Sequence, residues 1–417
     1  MNDKDISRLR ELAKQIREIA DLPIQQANKK IWVAVNDKKM IRPAVFVCDY
    51  PIYMMNYNDE LTTTIEDIFF RKVEADLLLR IYEWKHLRCD RVIEPVVKCP
   101  VTVEDTGYGI EESTRDLDEI MYGKEINTAK HFDRLITCED DLEKIKNPII
   151  TYDKETTLKN FEKMKEIFDG ILEVQFSGID FFHCVLWDDL LSWMGIQEGM
   201  FDFVLNPDLM HKAADRYMEA CISRAKQYES LGLVSSNNSN VKVGQGGLGY
   251  TSQLPAPTKN GIGARLIDNW GDAADQIFTA VSPGMTREFG VKHELKWSEM
   301  FGFMYYGCCE RLDHKIAELK EIKNLRKVSM SPFADLEAGM EKLGSDIIVS
   351  FKPNSNYLTD AVWNKETSRK ELIKVCELAR KYNSNVEISM KTLITLRGEP
   401  QRLWDWCDMA LEIVSNY

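Results

Sequence analysis

Short apolar segments alternate with helical segments along most of this 417-residue chain. The apolar segments are rich in β-branched and aromatic residues, and apolar residues recur at helical spacing between them. A helix between consecutive strands makes those strands parallel, so the pattern predicts a parallel sheet covered by helices. The candidate strands are residues 44–48, 91–94, 171–176, 233–236, 301–306, 325–330, 346–351 and 386–390. About eight strands suit a barrel, and we predict an α/β fold of the TIM (β/α)8 type.

The helical segments define the expected domain organisation. Helices are predicted at residues 1–20, 64–84, 157–169, 206–231 and 368–382. The first of these is a leader helix outside the barrel. Because no Pro- or Ser-rich linker divides the chain, we predict an N-terminal helical extension over residues 1–40 and one barrel domain over residues 41–417. Two separate domains are the alternative.

The charge and the cysteine distribution exclude some classes of partner. The formal net charge is −13, whereas proteins that bind a nucleic-acid backbone or an anionic membrane present a basic surface. The sequence has no apolar signal segment at its start and no apolar run long enough to span a bilayer. Its ten cysteines are scattered, which favours free thiols over disulfides. We expect a soluble cytoplasmic protein whose partner is a small molecule or another protein.

The segment 301–310 ends an apolar, strand-like run in two adjacent cysteines and a glutamate. Cys308 and Cys309 supply soft thiolates, and Glu310 supplies a carboxylate, all where a buried strand meets its loop. Zinc in proteins takes ligands of these types. The segment therefore predicts a zinc site at the end of a barrel strand. The alternative is two buried thiols beside a surface acid.

Polar or reactive residues also follow the other predicted strands. In a TIM barrel the active site lies at the carboxyl ends of the strands. Taken singly, Glu94 suits a buried ion pair, the asparagines suit loop caps, and Lys352 suits a turn. Their collection at one rim favours an active site. These residues are Asp49, Tyr50, Glu94, Ser177, Asp180, Asn237, Asn238, Asn240, Ser331, Lys352, Asn354, Glu387 and Lys391.

The glycine-rich segment 243–250 resembles a phosphate-binding loop only in its glycine content. It lacks the Gly-Lys-Ser/Thr ending of a P-loop, and no helix follows it, so nucleotide binding is rejected. We predict instead a flexible active-site lid, or a close approach of backbone to a ligand, with Gln245 and Tyr250 reaching inward.

The aromatic segment 181–194 follows the third predicted strand. Aromatic and Met residues at helical spacing are usually core packing, and that interpretation is favoured here. A Trp- and Phe-rich loop at a barrel mouth would also suit a planar apolar substrate, with Trp187 packed on its ring. His183 is an isolated histidine, and most of these do not bind a metal.

Three features resemble the uroporphyrinogen decarboxylase superfamily. They are the order of the strands, the Asn-rich turn followed by the segment 244–251, and the C-terminal helix with Trp404 and Trp406. The resemblance covers most of the chain after residue 40, by order of elements more than by identity. That superfamily contains decarboxylases and zinc-dependent corrinoid methyltransferases. The decarboxylases carry an Arg-rich turn after the first strand, and the corresponding residues 45–53 contain no arginine, which favours the methyltransferase branch.

The methyltransferase branch binds zinc through a His-x-Cys motif after the fifth strand and a cysteine on the eighth. Here Tyr306-Gly-Cys308 stands in place of the first motif, and Glu387 or Ile388 lies near the position of the second. Such departures resemble the first methyltransferases of O-demethylase systems, in which the ligands vary. The implied zinc ligands are Cys308, Cys309, Glu310 and Glu387, with His293 as a substitute ligand.

In those systems zinc activates a methyl ether oxygen, and the methyl group moves to the cobalt of a corrinoid carried by a separate protein. The resemblance thus implies a methyltransferase that uses zinc and a corrinoid partner and demethylates a small methoxylated aromatic; methylamines and methyl thiols also fit as donors. The implied roles are catalysis by Glu310 and Asn237, and substrate binding by Trp187, Asn237, Tyr250 and Glu94. A metal-free decarboxylase or lyase and a non-catalytic corrinoid-binding module are the alternatives, and a homodimer is left open.

Overall fold

Short strands alternate with helices in the computed structural model, which describes residues 1–116 and 130–417. The strands are β1 (Ala44–Val47), β2 (Val96–Pro100), β3 (Val103–Asp105), β4 (Thr114–Asp116), β5 (Lys130–Phe132), β6 (Ile150–Tyr152), β7 (Glu173–Ser177), β8 (His183–Cys184), β9 (Trp270–Ala273), β10 (Phe303–Tyr306), β11 (Leu325–Met330), β12 (Ile348–Phe351) and β13 (Val386–Met390). The helices are α1 (Asp3–Ala20), α2 (Pro23–Asn36), α3 (Ile52–Met55), α4 (Ile68–His86), α5 (Lys154–Phe168), α6 (Leu186–Met194), α7 (Ile196–Leu205), α8 (Pro207–Ser230), α9 (Pro283–Met285), α10 (Lys292–Ser298), α11 (Ile316–Leu319), α12 (Leu336–Leu343), α13 (Asn356–Thr359), α14 (Lys365–Tyr382) and α15 (Gln401–Ser415).

Within the described residues, seven strands form one parallel sheet in the order β1-β13-β12-β11-β10-β9-β8. A second parallel pair, β2 with β7, lies beyond β1. The backbone N–H of Asp90 donates to the Val45 carbonyl at 2.9 Å, which joins β1 to the segment before β2. The architecture is consistent with a TIM-like barrel, although the described strands do not close into one continuous sheet.

Contacts between strands that are not neighbours identify the concave side of the seven-stranded sheet. Lys327 on β11 reaches Glu387 on β13 across β12, with Nζ and Oε2 2.6 Å apart. Tyr305 on β10 similarly donates to Ser350 on β12 at 3.3 Å, across β11. Side chains two residues apart share a face of a strand, so the same side also carries Lys352 and other polar groups. This concave side is therefore unusually polar for a barrel interior.

The glycine-rich segment 243–250 fills the lower part of the concave side instead of forming a lid. A Cβ atom at Gly246 would lie 2.1 Å from Glu387 Oε1, and one at Gly247 would lie 2.0 Å from the Trp32 ring. Only glycines allow backbone to approach this closely. The lid prediction is wrong, because the segment is buried against the strands.

The N-terminal helices pack onto the barrel. Trp32 of α2 is fully buried, and the side-chain amide of Asn36 donates to the carbonyls of Leu248 and Tyr250, each at 2.8 Å. Helix α1 contributes Leu9, Leu12 and Ile16 to a cluster with residues of α4 and α5. The extension thus closes one end of the concave side and covers a flank of the molecule. None of the helices in the described ranges is long and apolar enough to cross a membrane.

Most predicted elements are confirmed, but the strands differ from the prediction in several places. Strands β3 to β6 and β8 have no predicted counterpart. The helices predicted at 157–169, 206–231 and 368–382 correspond to α5, α8 and α14. Residues 91–94 form no strand, and β2 begins at Val96, after Pro95. Residues 233–236 contribute only a bridge between Val234 and Ile179. Strand β9 was not predicted, because its sequence, Trp-Gly-Asp-Ala, has no β-branched residue.

Candidate functional site

Gly307 ends β10 and sets the direction of the chain that follows. Its φ of +99° lies in a region that L-residues avoid, and a Cβ atom there would lie 2.4 Å from the Leu312 side chain. Its N–H donates to the Ala273 carbonyl at 2.8 Å, which holds the turn against β9. The turn delivers Cys308 and Cys309 to the carboxyl end of the sheet.

Lys391 meets the two cysteines from the end of β13. Its Nζ donates to Cys308 Sγ at 2.8 Å. The two sulfur atoms are 3.7 Å apart, and Cys309 Sγ is 4.0 Å from the hydroxyl oxygen of Thr392. Cys308 is buried, whereas Cys309 is exposed. We call Cys308, Cys309 and Lys391 the thiol–lysine rim.

One of the two cysteines in the thiol–lysine rim is ionised. The Cys308 thiol donates to the Cys309 sulfur, which lowers the pKa of Cys309 to about 5 despite its partial burial, and Lys391 lowers it further. The same hydrogen bond and burial raise the pKa of Cys308. At neutral pH Cys309 is therefore a thiolate, which is the nucleophilic and metal-binding form of cysteine.

Glu310 supports the turn through one carboxylate oxygen, and its other oxygen, Oε1, is buried without a hydrogen-bond partner among the described residues. It is buried, and its Oε2 accepts a hydrogen bond from the backbone N–H of Cys308 at 2.8 Å. Burial raises the pKa of its carboxyl group. The hydrogen bond positions the turn that carries the cysteines, and the catalytic role of Glu310 stays a prediction.

Glu387 lies in the lower part of the concave side, away from the thiol–lysine rim. Its carboxylate accepts from Lys327 at 2.6 Å, from the Ser350 hydroxyl at 2.6 Å and from the Gly247 N–H at 3.1 Å. Burial opposes its charge, but Lys327 and Lys352 lower its pKa below the usual value. The carboxylate is committed to these partners, so Glu387 does not complete a metal site.

The predicted zinc ligands do not assemble into one site. Lys391 meets Cys308 where the resemblance places a ligand from the last strand. No three His, Cys, Asp or Glu residues within 1–116 and 130–417 are arranged to hold a metal ion. His293, the substitute ligand, lies on α10 and hydrogen-bonds His211 at 2.9 Å and Asp215 at 3.2 Å. The residues present therefore do not fit zinc as predicted, and no step below depends on it.

Asn237 and Trp187 have structural positions. The Asn237 side chain donates to the carbonyls of Asp180 and Trp270, at 3.1 and 2.8 Å, and accepts from the Trp270 N–H at 2.8 Å. It therefore joins two chain segments. Trp187 is fully buried, and its indole N–H donates to the Phe289 carbonyl at 2.8 Å. The favoured interpretation of the aromatic segment as core packing matches this position.

Glu94 and Tyr250 come together, but away from the cysteines. The Tyr250 hydroxyl donates to Glu94 Oε1 at 2.8 Å, and Lys29 of α2 lies 4.7 Å from the Tyr250 ring centre. Both residues line a cavity of about 580 Å³ that α2 helps to form. These two predicted substrate-binding residues belong to the end of the molecule that α2 covers.

Lys352 suits a turn when taken singly and is one of the residues of the predicted rim, whereas Lys242 and Cys48 are not among them. The Lys352 ammonium donates to the Gln245 carbonyl at 2.6 Å and to the Ser350 hydroxyl at 2.7 Å. Burial lowers the pKa of Lys352 to about 8. Lys242 Nζ lies 3.9 Å from Cys48 Sγ, at the end of β1. Three lysines, including Lys391, thus converge on the carboxyl side of the sheet.

A cavity of about 560 Å³ adjoins Cys48 and Lys242 in the gap between β1 and β2. Its walls combine apolar side chains such as Phe46 and Phe69 with charged ones such as Lys98. Ligand pockets commonly have this mixture, in which apolar walls hold the ligand and a few polar groups orient it. Its charged residues are of both signs, since Asp76 and Glu94 also line it, so the cavity suits a small molecule with an apolar part and a polar end.

His183 and Asp272 also lie on the carboxyl half of the sheet, on β8 and β9. Nδ1 of His183 donates to Asp272 Oδ2 at 2.7 Å. His183 has no acidic neighbour of this kind in the sequence, and the fold pairs it with Asp272. Only the pairing of β8 with β9 brings these residues together, so sequence spacing contained no signal for the pair.

Comparisons with known proteins identify no family for the chain. No protein-family profile matches it, and no curated protein sequence matches it. A solved structure described as a methyltransferase from Methanosarcina mazei is similar over 91% of this chain and 98% of its own, at 11% sequence identity and a TM-score of 0.47. A likeness this distant says nothing about the reaction, so the function rests on the residues of the site.

Proposed function

We propose that the chain is a methyltransferase that moves a methyl group from a small donor, a methoxylated aromatic, to the cobalt of a corrinoid carried by a partner protein. The observation that carries the proposal is the thiol–lysine rim, in which Lys391 donates to Cys308 beside the Cys309 thiolate. It lies where enzymes with parallel barrels keep their active sites.

The lysines supply the positive charge that this reaction needs. Breaking an aryl methyl ether leaves a phenolate, and preorganised cations stabilise such a charge most strongly where water is excluded. Lys391 and Lys352 are both buried at the carboxyl ends of adjacent strands. Cys309 orients the donor from the exposed side of the rim. The corrinoid, when bound, supplies the nucleophile that accepts the methyl group.

Exposed apolar residues support a protein partner at the same side. The segments that follow β1, β13, β12 and β11, which are neighbours in the sheet, each carry a large exposed apolar residue. These residues, the apolar rim, are Tyr53, Ile394, Val362 and Phe333. Exposed apolar surface of this kind is typical of interaction sites. We propose that the corrinoid protein docks on the apolar rim.

An anaerobic methyl-transfer assay tests the proposal. The purified protein is mixed with cob(I)alamin and a panel of methoxylated aromatic acids, and methylcobalamin formation is followed by absorbance. We expect turnover that falls roughly 10²-fold in Lys391→Met, since one preorganised charge is removed. Lys370→Met, which changes an exposed lysine on α14, is the matched control. If the wild type converts no donor in the panel, the proposal fails.

Zinc stays a prediction, which metal analysis tests. One zinc per chain in the wild type, lost in Cys309→Ala, would support a thiol-bound metal. A zinc-free wild type with full activity would contradict it. Because the Cys309→Ala variant changes only an exposed side chain, its circular dichroism spectrum should match that of the wild type.

A metal-free decarboxylase or lyase acting on a carboxylated substrate is the second candidate. It is favoured by the convergence of Lys242, Lys352 and Lys391 in a chain with a net charge of −13. Incubation with uroporphyrinogen separates the two candidates. Release of carbon dioxide without any methyl transfer would replace the methyltransferase proposal with this one.

A further inference from the structure

His183 and Asp272 form a hydrogen-bonded pair in which each side chain has a second polar atom without a hydrogen-bond partner among the described residues. Nδ1 of His183 donates to Asp272 Oδ2 at 2.7 Å. Nε2 of His183 has no hydrogen-bond partner among the described residues, and 24% of the side chain is exposed. Asp272 Oδ1 is buried and also lacks a partner there. A purely structural ion pair usually has its remaining groups satisfied, because leaving them open costs free energy.

The pairing of the strands fixes the orientation of this pair. His183 on β8 is in register with Asp272 on β9, and Asp272 is in register with Tyr305 on β10. Residues in register on parallel strands point to the same side of a sheet, and Tyr305 points to the concave side, where it meets Ser350. His183 therefore shares the concave side with the lysines.

Ring contacts connect His183 to the mouth of the sheet. The Phe181 ring stacks on the His183 ring with centres 5.4 Å apart. Lys242 lies 5.8 Å from the centre of the Phe181 ring, and its Nζ is 3.9 Å from Cys48 Sγ. Cys48 and Lys242 border the cavity of about 560 Å³. The Phe181 ring thus contacts both His183 and Lys242, and Lys242 lines this cavity.

The charged groups around His183 favour its protonated form. Burial lowers the pKa of His183, but the charge and hydrogen bond of Asp272, with Asp189 and Asp188 on α6, raise it above the usual value overall. Lys242 lies 5.8 Å from the centre of the Phe181 ring, which stacks on His183. The imidazolium therefore persists to a higher pH than that of an ordinary histidine, and it is lost as the pH rises through this raised pKa.

We propose that His183 is the catalytic acid of the methyl transfer and that Asp272 is its positioning residue. This inference rests on the proposed function. As the O–CH₃ bond of the donor breaks, its electron pair stays on the oxygen, and Nε2 of His183 gives that oxygen a proton. The methyl acceptor supplies the electron pair of the new bond. Solvent then returns a proton to the neutral imidazole after the phenol leaves.

Leaving-group dependence tests the proposal, because only poor leaving groups need an acid. We expect His183→Gln to slow transfer about 10²-fold for methoxybenzoates whose phenols are weakly acidic, as is typical for loss of a general acid. Nitro-substituted donors, whose phenolates leave unaided, should be affected far less. His131→Gln, which changes a histidine with 44% side-chain exposure, should leave both rates unchanged.

Asp272→Asn tests the positioning role through the pH profile. The amide keeps a hydrogen-bonding group beside Nδ1 but removes the charge, so the alkaline limb of the rate profile should move to lower pH. NMR titration of the His183 ring in both proteins should show the same displacement. A merely structural pair would show the displacement in the NMR titration but leave the rate profile unmoved.

The outcomes separate this inference from the proposed function. A wild type that transfers no methyl group overturns both. An active wild type whose leaving-group dependence and pH profile are unchanged in His183→Gln overturns the acid role alone. If His183→Gln does not fold, as judged by circular dichroism, His183→Asn and the Asp272→Asn profile decide the question.

Discussion

The concave side of the sheet has a lower half, within the strands, and an upper half, at their carboxyl ends. The polar groups of the two halves differ in their hydrogen bonding and exposure. In the lower half Lys327 and Glu387 are both fully buried, with side-chain exposures of 0%, and they bond each other and nearby groups. In the upper half Lys391 and Cys308 also bond each other, but Cys309 beside them is exposed. Strand β13 supplies residues to both halves, Glu387 within the strand and Lys391 directly after it.

The contrast separates structural from chemical roles. Lys327 and Glu387 use their capacity on internal partners, so they hold the glycine-rich segment and the strands together. The thiol–lysine rim keeps a charged sulfur atom open to a ligand. Burial of a charged residue is therefore a poor guide to function, and unused capacity near solvent is a better one.

The largest effect is expected from breaking the lower ion pair. Lys327→Met leaves the Glu387 carboxylate buried without its closest cation, which typically costs about 3–5 kcal/mol of unfolding free energy. Urea unfolding followed by circular dichroism measures the loss. The double variant Lys327→Met with Glu387→Leu removes both charges and should lose less than Lys327→Met alone. Equal losses in the two variants would show that the pair does not dominate this half.

A smaller loss is expected from crowding the glycine-rich segment. In Gly247→Ala the new methyl group would lie 2.0 Å from the Trp32 ring, and overpacking of this kind typically costs about 1–3 kcal/mol. Gly284→Ala is the matched control, since a Cβ atom there meets nothing within 4 Å and the residue is exposed. The control should change stability by less than about 0.5 kcal/mol. Equal effects at both positions would mean that the segment is not packed as described.

The core strands β10 to β13 were predictable because each is a short apolar run bounded by helical sequence. Strand β9 was not, because Trp270 and Ala273 enclose a glycine and an aspartate, and only its neighbours make this sequence a strand. The residues before Pro95 have strand-like composition, yet β2 forms after that proline. Local composition identifies a strand only where it agrees with the position in the sheet.

The site was predictable in part. The cysteines stood out because two thiols end a strand, but their partner Lys391 lies 83 residues further along the chain. His183 and Asp272 are likewise 89 residues apart. Glu387 was assigned to the site from its strand position, although its side chain points to the lower half. The order of the strands predicts which residues lie near the carboxyl ends of the sheet. Which side chains contact each other depends on how far along its strand each residue lies.

The charge state of Cys309 in the upper half can be tested by its reactivity. Its pKa of about 5 predicts that alkylation by iodoacetamide rises with pH through about 5 and then levels off. In Lys391→Met the nearby positive charge is lost, so the midpoint should move to higher pH. Peptide mass spectrometry assigns the labelled sites, and Cys138, which is also exposed, provides the reference profile. An unchanged midpoint in the variant would remove Lys391 from the thiol–lysine rim.

The smallest effect on stability is expected at Cys309 itself, and this completes the contrast with Lys327. Cys309→Ser changes an exposed residue whose nearest hydroxyl, on Thr392, is 4.0 Å away. At about pH 4, where the Cys309 thiol is protonated in both the folded and the unfolded chain, the unfolding free energy should therefore change by less than about 0.5 kcal/mol. Methyl transfer should nevertheless fall, because serine is not ionised at neutral pH. A residue that matters for turnover and not for folding belongs to the chemical half of the sheet. If Cys309→Ser instead destabilised the protein as much as Lys327→Met does, the two halves would not differ in kind.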